Sequence, residues 1–206
     1  MNKLATRLTT KITMVVKIAG SSLETVRTRV PLPAEAAQVI QNCTLLAEAV
    51  DRLEAAGFLV EATQFVAHAL PKREAVWWAC MCATHTAPAD LPDADRKARE
   101  AAEDWVRQQG EKPRRTAWAR AEVSGFGTPE AWAAVGAFWS GDSMAPEGQP
   151  AVPPAPHLTG TAVAGAVGLA AVRGDAARQQ ARLHSFLESG RGIAAGGPGR
   201  LPAETA

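Results

Sequence analysis

Nine consecutive apolar residues, AVWWACMCA at positions 75–83, decide the fold of this 206-residue chain. They lie in a helix that the sequence predicts from Lys72 to about Thr84. A helix that is apolar around its whole circumference has to be covered on every side. We therefore expect this helix at the centre of the fold, with other helices packed around it.

Amphipathic helices are predicted on both sides of this central segment. From Ala34 to Ala56, apolar residues recur at spacings of three and four, as one helix or as two with a break near Asn42. Farther along, Thr128-Pro129-Glu130 marks a helix start, because it combines an N-cap residue, a first-turn proline and an acid favoured by the helix dipole. The other predicted helices span about 58–69, 93–109, 113–124, 161–172 and 176–189.

Seven to eight helices, mostly joined by short links, predict an all-α fold. Two architectures fit this pattern. One is a compact bundle, and the other is a short HEAT-like α-solenoid, since helix–turn–helix units recur at a spacing near that of HEAT repeats. A proline-rich loop is predicted at 140–156. The domain organisation predicted from these elements is a basic, poorly defined segment at 1–32, a single helical domain at 33–195 and a disordered tail at 196–206.

Composition excludes several classes of protein. The net charge of +1 gives no overall field that would attract nucleic acid. Lys17 interrupts the only apolar stretch near the N-terminus, and the uncharged stretch 151–172 contains three prolines, so neither a secretory signal nor a membrane span is predicted. Three cysteines cannot all pair internally, which favours reduced thiols. These features predict a soluble, cytoplasmic protein without a membrane partner.

Motifs that carry chemistry are not recognisable. Cys80 and Cys82 point about 200° apart on a helix, so they cannot join His85 at one metal ion. The Gly141-Asp142-Ser143 block resembles an esterase nucleophile motif but has no strand before it. We therefore predict no catalytic, metal-binding or cofactor-binding residue, and no cofactor. The alternative is a helical enzyme whose site is assembled from dispersed residues such as Glu74, His85 and Asp104.

The aromatic and basic residues suggest a surface that binds a partner. The chain has six tryptophans and no tyrosine. The favoured interpretation is that the tryptophans fill gaps between alanine-rich helices. The alternative is that they line a groove for a peptide or a stacked base. Lys112, Arg120 and their neighbours form the one dense basic and aromatic patch, which is also the only feature that favours nucleic acid. The candidate partner-binding residues are Trp78, Trp118, Arg114 and Arg115.

Several segments resemble an uncharacterised bacterial family, known only as a domain of unknown function, over roughly residues 40–195. They are ALPKREAVWWAC (69–80), TPEAW (128–132), FWSGDSMAP (138–146) and TAVAGAV (161–167). The resemblance brings no activity and no catalytic residue. It implies a link to type VI-like bacterial secretion systems. The predicted function is a non-enzymatic adaptor or scaffold that binds another protein, as an accessory or chaperone of such a system.

Overall fold

The computed structural model describes residues 22–204 and is all-α, as predicted. Eight of its ten α-helices have seven or more residues, in agreement with the seven to eight expected. No strand occurs in the described range. The helices are α1 (Leu23–Arg27), α2 (Ala34–Val39), α3 (Leu46–Ala55), α4 (Leu59–Ala69), α5 (Lys72–His85), α6 (Asp93–Gln108), α7 (Glu111–Ser124), α8 (Pro129–Phe138), α9 (Leu158–Val172) and α10 (Gln179–Ala194), with a 3-10 turn (Ala176–Arg178) before α10.

The central position of α5 is confirmed. Of its nine-residue apolar run, all but Trp77 are buried, and Trp77 is partly buried. α5 packs against α4, α6, α8, α9 and α10. Burying apolar surface stabilises a fold by roughly 25 cal/mol per Å². Because α5 is apolar on all sides, it stabilises the fold most when neighbouring helices surround it, as they do here.

The bundle and the solenoid are distinguished by which helices touch. In a solenoid each repeat contacts only the repeats beside it in the chain. Here α9 packs against α4, α5 and α8, and α10 returns to α4 and α5. Contacts between helices so far apart in sequence identify a compact bundle.

Local features refine the predicted boundaries. The segment from Ala34 to Ala56 forms two helices, α2 and α3, with the break near Asn42. Ser22 caps α1, accepting the Thr25 N–H at 3.0 Å. Residues 140–156 are irregular, as predicted, apart from the Met144 N–H donating to the Val152 carbonyl at 2.8 Å.

Both ends of the described chain contact the bundle. Val26 of α1 and Val30 after it are buried in the core. Near the other end, the Trp77 Nε1–H donates to the Pro198 carbonyl at 2.7 Å, and the Glu204 N–H donates to the His85 carbonyl at 2.8 Å. No local sequence pattern predicts hydrogen bonds between residues so far apart in the chain. The domain boundaries at residues 32 and 196 stay predictions.

Candidate functional site

Four apolar side chains lie where α7 turns into α8, two of them exposed: Trp118, Val123, Phe126 and Trp132. We call this group the aromatic corner. Val123 is 68% exposed and Phe126 38% exposed, while the two tryptophans are partly buried. Single exposed apolar residues are ordinary, but contiguous apolar patches on a surface mark interaction sites.

Three helices fix the turn that carries the aromatic corner. α7 ends at Ser124, and Gly125 follows with φ of 86°. α8 begins after Thr128, whose hydroxyl accepts the Ala131 N–H at 3.3 Å, as the Thr-Pro-Glu motif predicts. Asp95 of α6 is buried and accepts hydrogen bonds from the hydroxyls of Ser124 and Thr128. The turn is therefore held at both of its ends.

Phe126 has a left-handed backbone conformation, with φ of 60°. For a bulky residue this conformation costs on the order of 1–3 kcal/mol. The Trp132 Nε1–H donates to the Phe126 carbonyl at 2.9 Å, which holds the backbone in place. More than a third of Phe126 remains exposed.

Aromatic rings connect Phe126 to the interior. Its ring centroid lies 5.5 Å from that of Trp118, which lies 4.7 Å from that of Phe138. The Arg114 Cζ lies 4.6 Å from the Phe138 centroid, within the range of a cation–π contact. The Phe126 ring thus rests on a packed row of side chains and presents a rigid face.

Arg114, predicted to bind a partner, is instead a structural residue. Only 2% of it is exposed, and it donates to Glu111 at 2.6 and 2.7 Å and to the carbonyls of Phe138 and Ser143, each at 2.7 Å. Gly141 packs so closely on the guanidinium that a Cβ there would lie 3.0 Å from Cζ. Arg114 therefore holds the Phe-Trp-Ser-Gly segment against α7 and is not accessible to a partner.

The other three candidate residues occupy different environments. Trp78 is fully buried and its Nε1–H donates to the Phe186 carbonyl at 2.9 Å, so it too is inaccessible. Trp118 is partly exposed in the aromatic corner. Arg115 is partly exposed and bonds to Glu111 at 2.7 Å and to the Ala145 carbonyl at 2.8 Å. A partner-binding role stays a prediction for Trp118 and Arg115.

One exposed cation, Arg120, lies next to the aromatic corner. Lys112 is exposed in the first turn of α7, at the end away from the corner. Within residues 22–204 neither forms an ion pair, although Arg120 is one of the cations, led by Lys97, that lower the pKa of the Asp93 carboxyl. Arg120 and Val123 are three apart, so they are neighbours on one helix face. The sequence missed Val123 and Phe126, because Gly125-Phe126-Gly127 predicts a turn and says nothing about which side chain the turn exposes.

The residues considered for chemistry are not brought together. Glu74 lines a shallow groove, whereas the His85 Nδ1 bonds to the Pro202 carbonyl and Asp104 accepts from Arg107 at 2.7 Å. Burial raises the pKa of the Cys80 and Cys82 thiols, which keeps both protonated and unreactive. The Ser143 Oγ accepts two backbone N–H groups within its own loop, at 3.0 and 3.1 Å.

No group of three or more His, Cys, Asp or Glu side chains is placed to hold a metal ion within residues 22–204. Among the helices of the same range, none combines the length and the apolar character that crossing a bilayer requires.

Comparison with known proteins gives one match. The family described as "Family of unknown function (DUF6931)" matches residues 49–194, which is well over half of the chain. No curated protein and no solved structure matches. The predicted resemblance to a domain of unknown function is confirmed.

Proposed function

We propose that this chain, which belongs to the Family of unknown function (DUF6931), is a non-enzymatic adaptor or scaffold that binds another protein through the aromatic corner. One observation carries the proposal: Phe126 is exposed while its backbone is held at φ of 60°. Strain at a bulky residue persists only where the surrounding structure imposes it, and such residues cluster at functional sites.

A rigid, exposed aromatic side chain is suited to protein binding. Interface hot spots are enriched in large aromatic residues, and binding is stronger when little conformational freedom is lost. The hydrogen bond from Trp132 and the ring contact with Trp118 fix Phe126 before any partner arrives. Little entropy then remains to be lost on association.

Charge complementarity defines the partner. Arg120, exposed and without an ion pair in the described residues, lies about one turn from Val123 on α7, and Lys112 is a second exposed cation at the far end of the same helix. A partner that matches this surface is an acidic protein segment that also carries an apolar side chain to cover Phe126. Charges at the rim of an interface mainly raise the association rate, and they do so most at low salt.

The narrower form of the proposal is an accessory or chaperone of a type VI-like secretion system. Its support is the sequence resemblance over the segments around Trp78, Trp132 and Trp139. The aromatic corner is compatible with this role, because an accessory protein needs a docking surface and no catalytic centre.

Replacing Phe126 with asparagine is expected to abolish partner binding without unfolding the protein. Asparagine tolerates the left-handed region, so the relief of strain offsets the lost ring contacts, and the free energy of unfolding should change by less than about 1 kcal/mol. The matched control is Leu45→Asn, which removes a side chain that is 59% exposed and lies before α3.

The measurement is quantitative affinity capture from native lysate with the wild type and both variants, at low and moderate salt. An acidic protein retained by the wild type and by Leu45→Asn, lost with Phe126→Asn and weakened by salt would support the proposal. Equal recovery by the wild type and Phe126→Asn would refute it.

A further inference from the structure

A separate cavity, of about 180 Å³, lies between the end of α4 and the starts of α5 and α9. An engineered protein cavity of roughly 150 Å³ accommodates benzene, so this one has room for a small ion or a single functional group. Its polar lining comes from Arg29, His68, Lys72, Thr159 and Gly160, and no acidic side chain lines it. These residues belong to four separate segments of the chain.

Two helix N-termini meet at this cavity. α5 follows Pro71 and α9 follows His157, and no side chain among residues 22–204 caps the start of either helix. Within the described residues, the amides of Thr159 and Gly160 have no hydrogen-bond acceptor. The first amides of a helix bind anions, and each N-terminus is equivalent to roughly half a positive charge. The C-terminus of α4 contributes about half a negative charge, which is less than the positive charge of the two N-termini together.

Two cationic side chains add to this positive field. Arg29 is partly exposed and Lys72 exposed, and neither is paired with a carboxylate in the part of the chain that the structure describes. Lys72 lines the cavity, and its Nζ also donates to the Ser140 carbonyl at 3.3 Å. An unneutralised cluster of this kind is favourable only if an anion or water balances it.

His68 points independently to a ligand. The residue is 7% exposed and lines the cavity, and in residues 22–204 its buried Nδ1 has no hydrogen-bond partner. The ring lies directly against Gly160, where a Cβ would come closest to Nδ1 itself and would lie 2.8 Å from Cε1. An unpaired buried polar atom costs on the order of 1–3 kcal/mol. Burial, followed by the charges of Arg29 and His157, lowers the pKa of His68 to about 4, so the ring is neutral at ordinary pH.

We infer that this cavity binds a small phosphate group, held by Arg29, Lys72, His68 and the first amides of α5 and α9. These side chains and helix amides offer more hydrogen-bond donors than the two oxygens of a carboxylate accept. Two full positive charges and two helix N-termini also match a dianion better than a monoanion. The site uses none of the residues of the aromatic corner, so it stands apart from the proposed protein-binding function.

Calorimetric titration of the full chain at low salt tests this inference, with inorganic phosphate, glycerol 3-phosphate and acetate as the probes. The test variant is Arg29→Gln/Lys72→Gln. The matched control is Lys112→Gln/Arg120→Gln, which removes the same charge from α7, away from the cavity. Since all four side chains are at least partly exposed, both variants should fold, as circular dichroism will check.

The expected result is saturable binding of phosphate or of its glycerol ester, weakened roughly ten- to a hundredfold or more in the test variant and unchanged in the control. If inorganic phosphate binds more tightly, the natural ligand is the free ion. If glycerol 3-phosphate binds more tightly, the natural ligand is a phosphate ester. A second readout is the His68 ring in NMR spectra, whose pKa should rise by about 1 or more on binding. Absence of saturable binding, equally tight acetate binding, or equal weakening in both variants would overturn the inference.

Discussion

Replacing Trp78 with alanine is expected to lower the free energy of unfolding by about 3–5 kcal/mol, among the largest effects available in this chain. The side chain is fully buried, and Gly190 lets α10 pack directly over it. Truncation leaves a cavity that close-packed helices cannot fill. It also leaves the Phe186 carbonyl without the indole donor now 2.9 Å away.

Trp77→Ala is the matched control, because Trp77 is adjacent in sequence but only partly buried. Its replacement should cost about 1–2 kcal/mol, from partial burial and the hydrogen bond to Pro198. Urea unfolding followed by circular dichroism measures both changes. A Trp77 effect as large as the Trp78 effect would mean that α5 faces its neighbours in a different orientation.

Replacing Glu130 with glutamine is expected to cost about 3–5 kcal/mol, because it leaves Arg173 without its charged partner in a poorly solvated site. Glu130 is fully buried in the first turn of α8, and both of its carboxylate oxygens accept from the Arg173 guanidinium, one at 2.9 Å. Arg173 follows α9 and also donates to the Ala83 carbonyl near the end of α5, at 3.4 Å. The ion pair therefore joins three helices.

The control for Glu130→Gln is the same substitution in an exposed ion pair, Glu48 with Arg52. Glu48→Gln breaks a bond of 2.8 Å to Arg52, with both side chains more than a third exposed, and should cost less than about 1 kcal/mol. The double variant Glu130→Leu/Arg173→Met should recover much of the loss, since apolar residues can replace a buried pair. If the double variant is no more stable than Glu130→Gln alone, the charge pair does not explain the effect.

The sequence predicts the fold well where the signal is local. The apolar run of α5 requires enclosure on all sides, and the Thr128-Pro129 motif specifies the start of α8 with the N-cap that is observed. Local patterns could not choose between bundle and solenoid. That choice depends on the return of α9 and α10 to α4 and α5, and no single segment encodes the return.

The exposure of the candidate partner-binding residues was harder to predict, because helix periodicity does not fix which face of a helix is covered. Arg114 reads as a surface cation, yet it is 2% exposed, since the loop that holds Gly141 folds over it. Phe126 was missed because its conformation depends on a hydrogen bond from Trp132. The cavity proposed to bind phosphate has no sequence motif for a similar reason: Arg29 and Gly160 meet only through the tertiary fold.

Native-state hydrogen exchange of α5 tests the central claim most directly, namely that this helix is enclosed at the middle of the bundle. We expect the amides of residues 75–83 to exchange only through global unfolding, with the highest protection among the described residues, while those of the irregular segment 140–156 exchange through local opening. Exchange in residues 75–83 as fast as in the segment 140–156 would show an open centre and contradict this placement of α5.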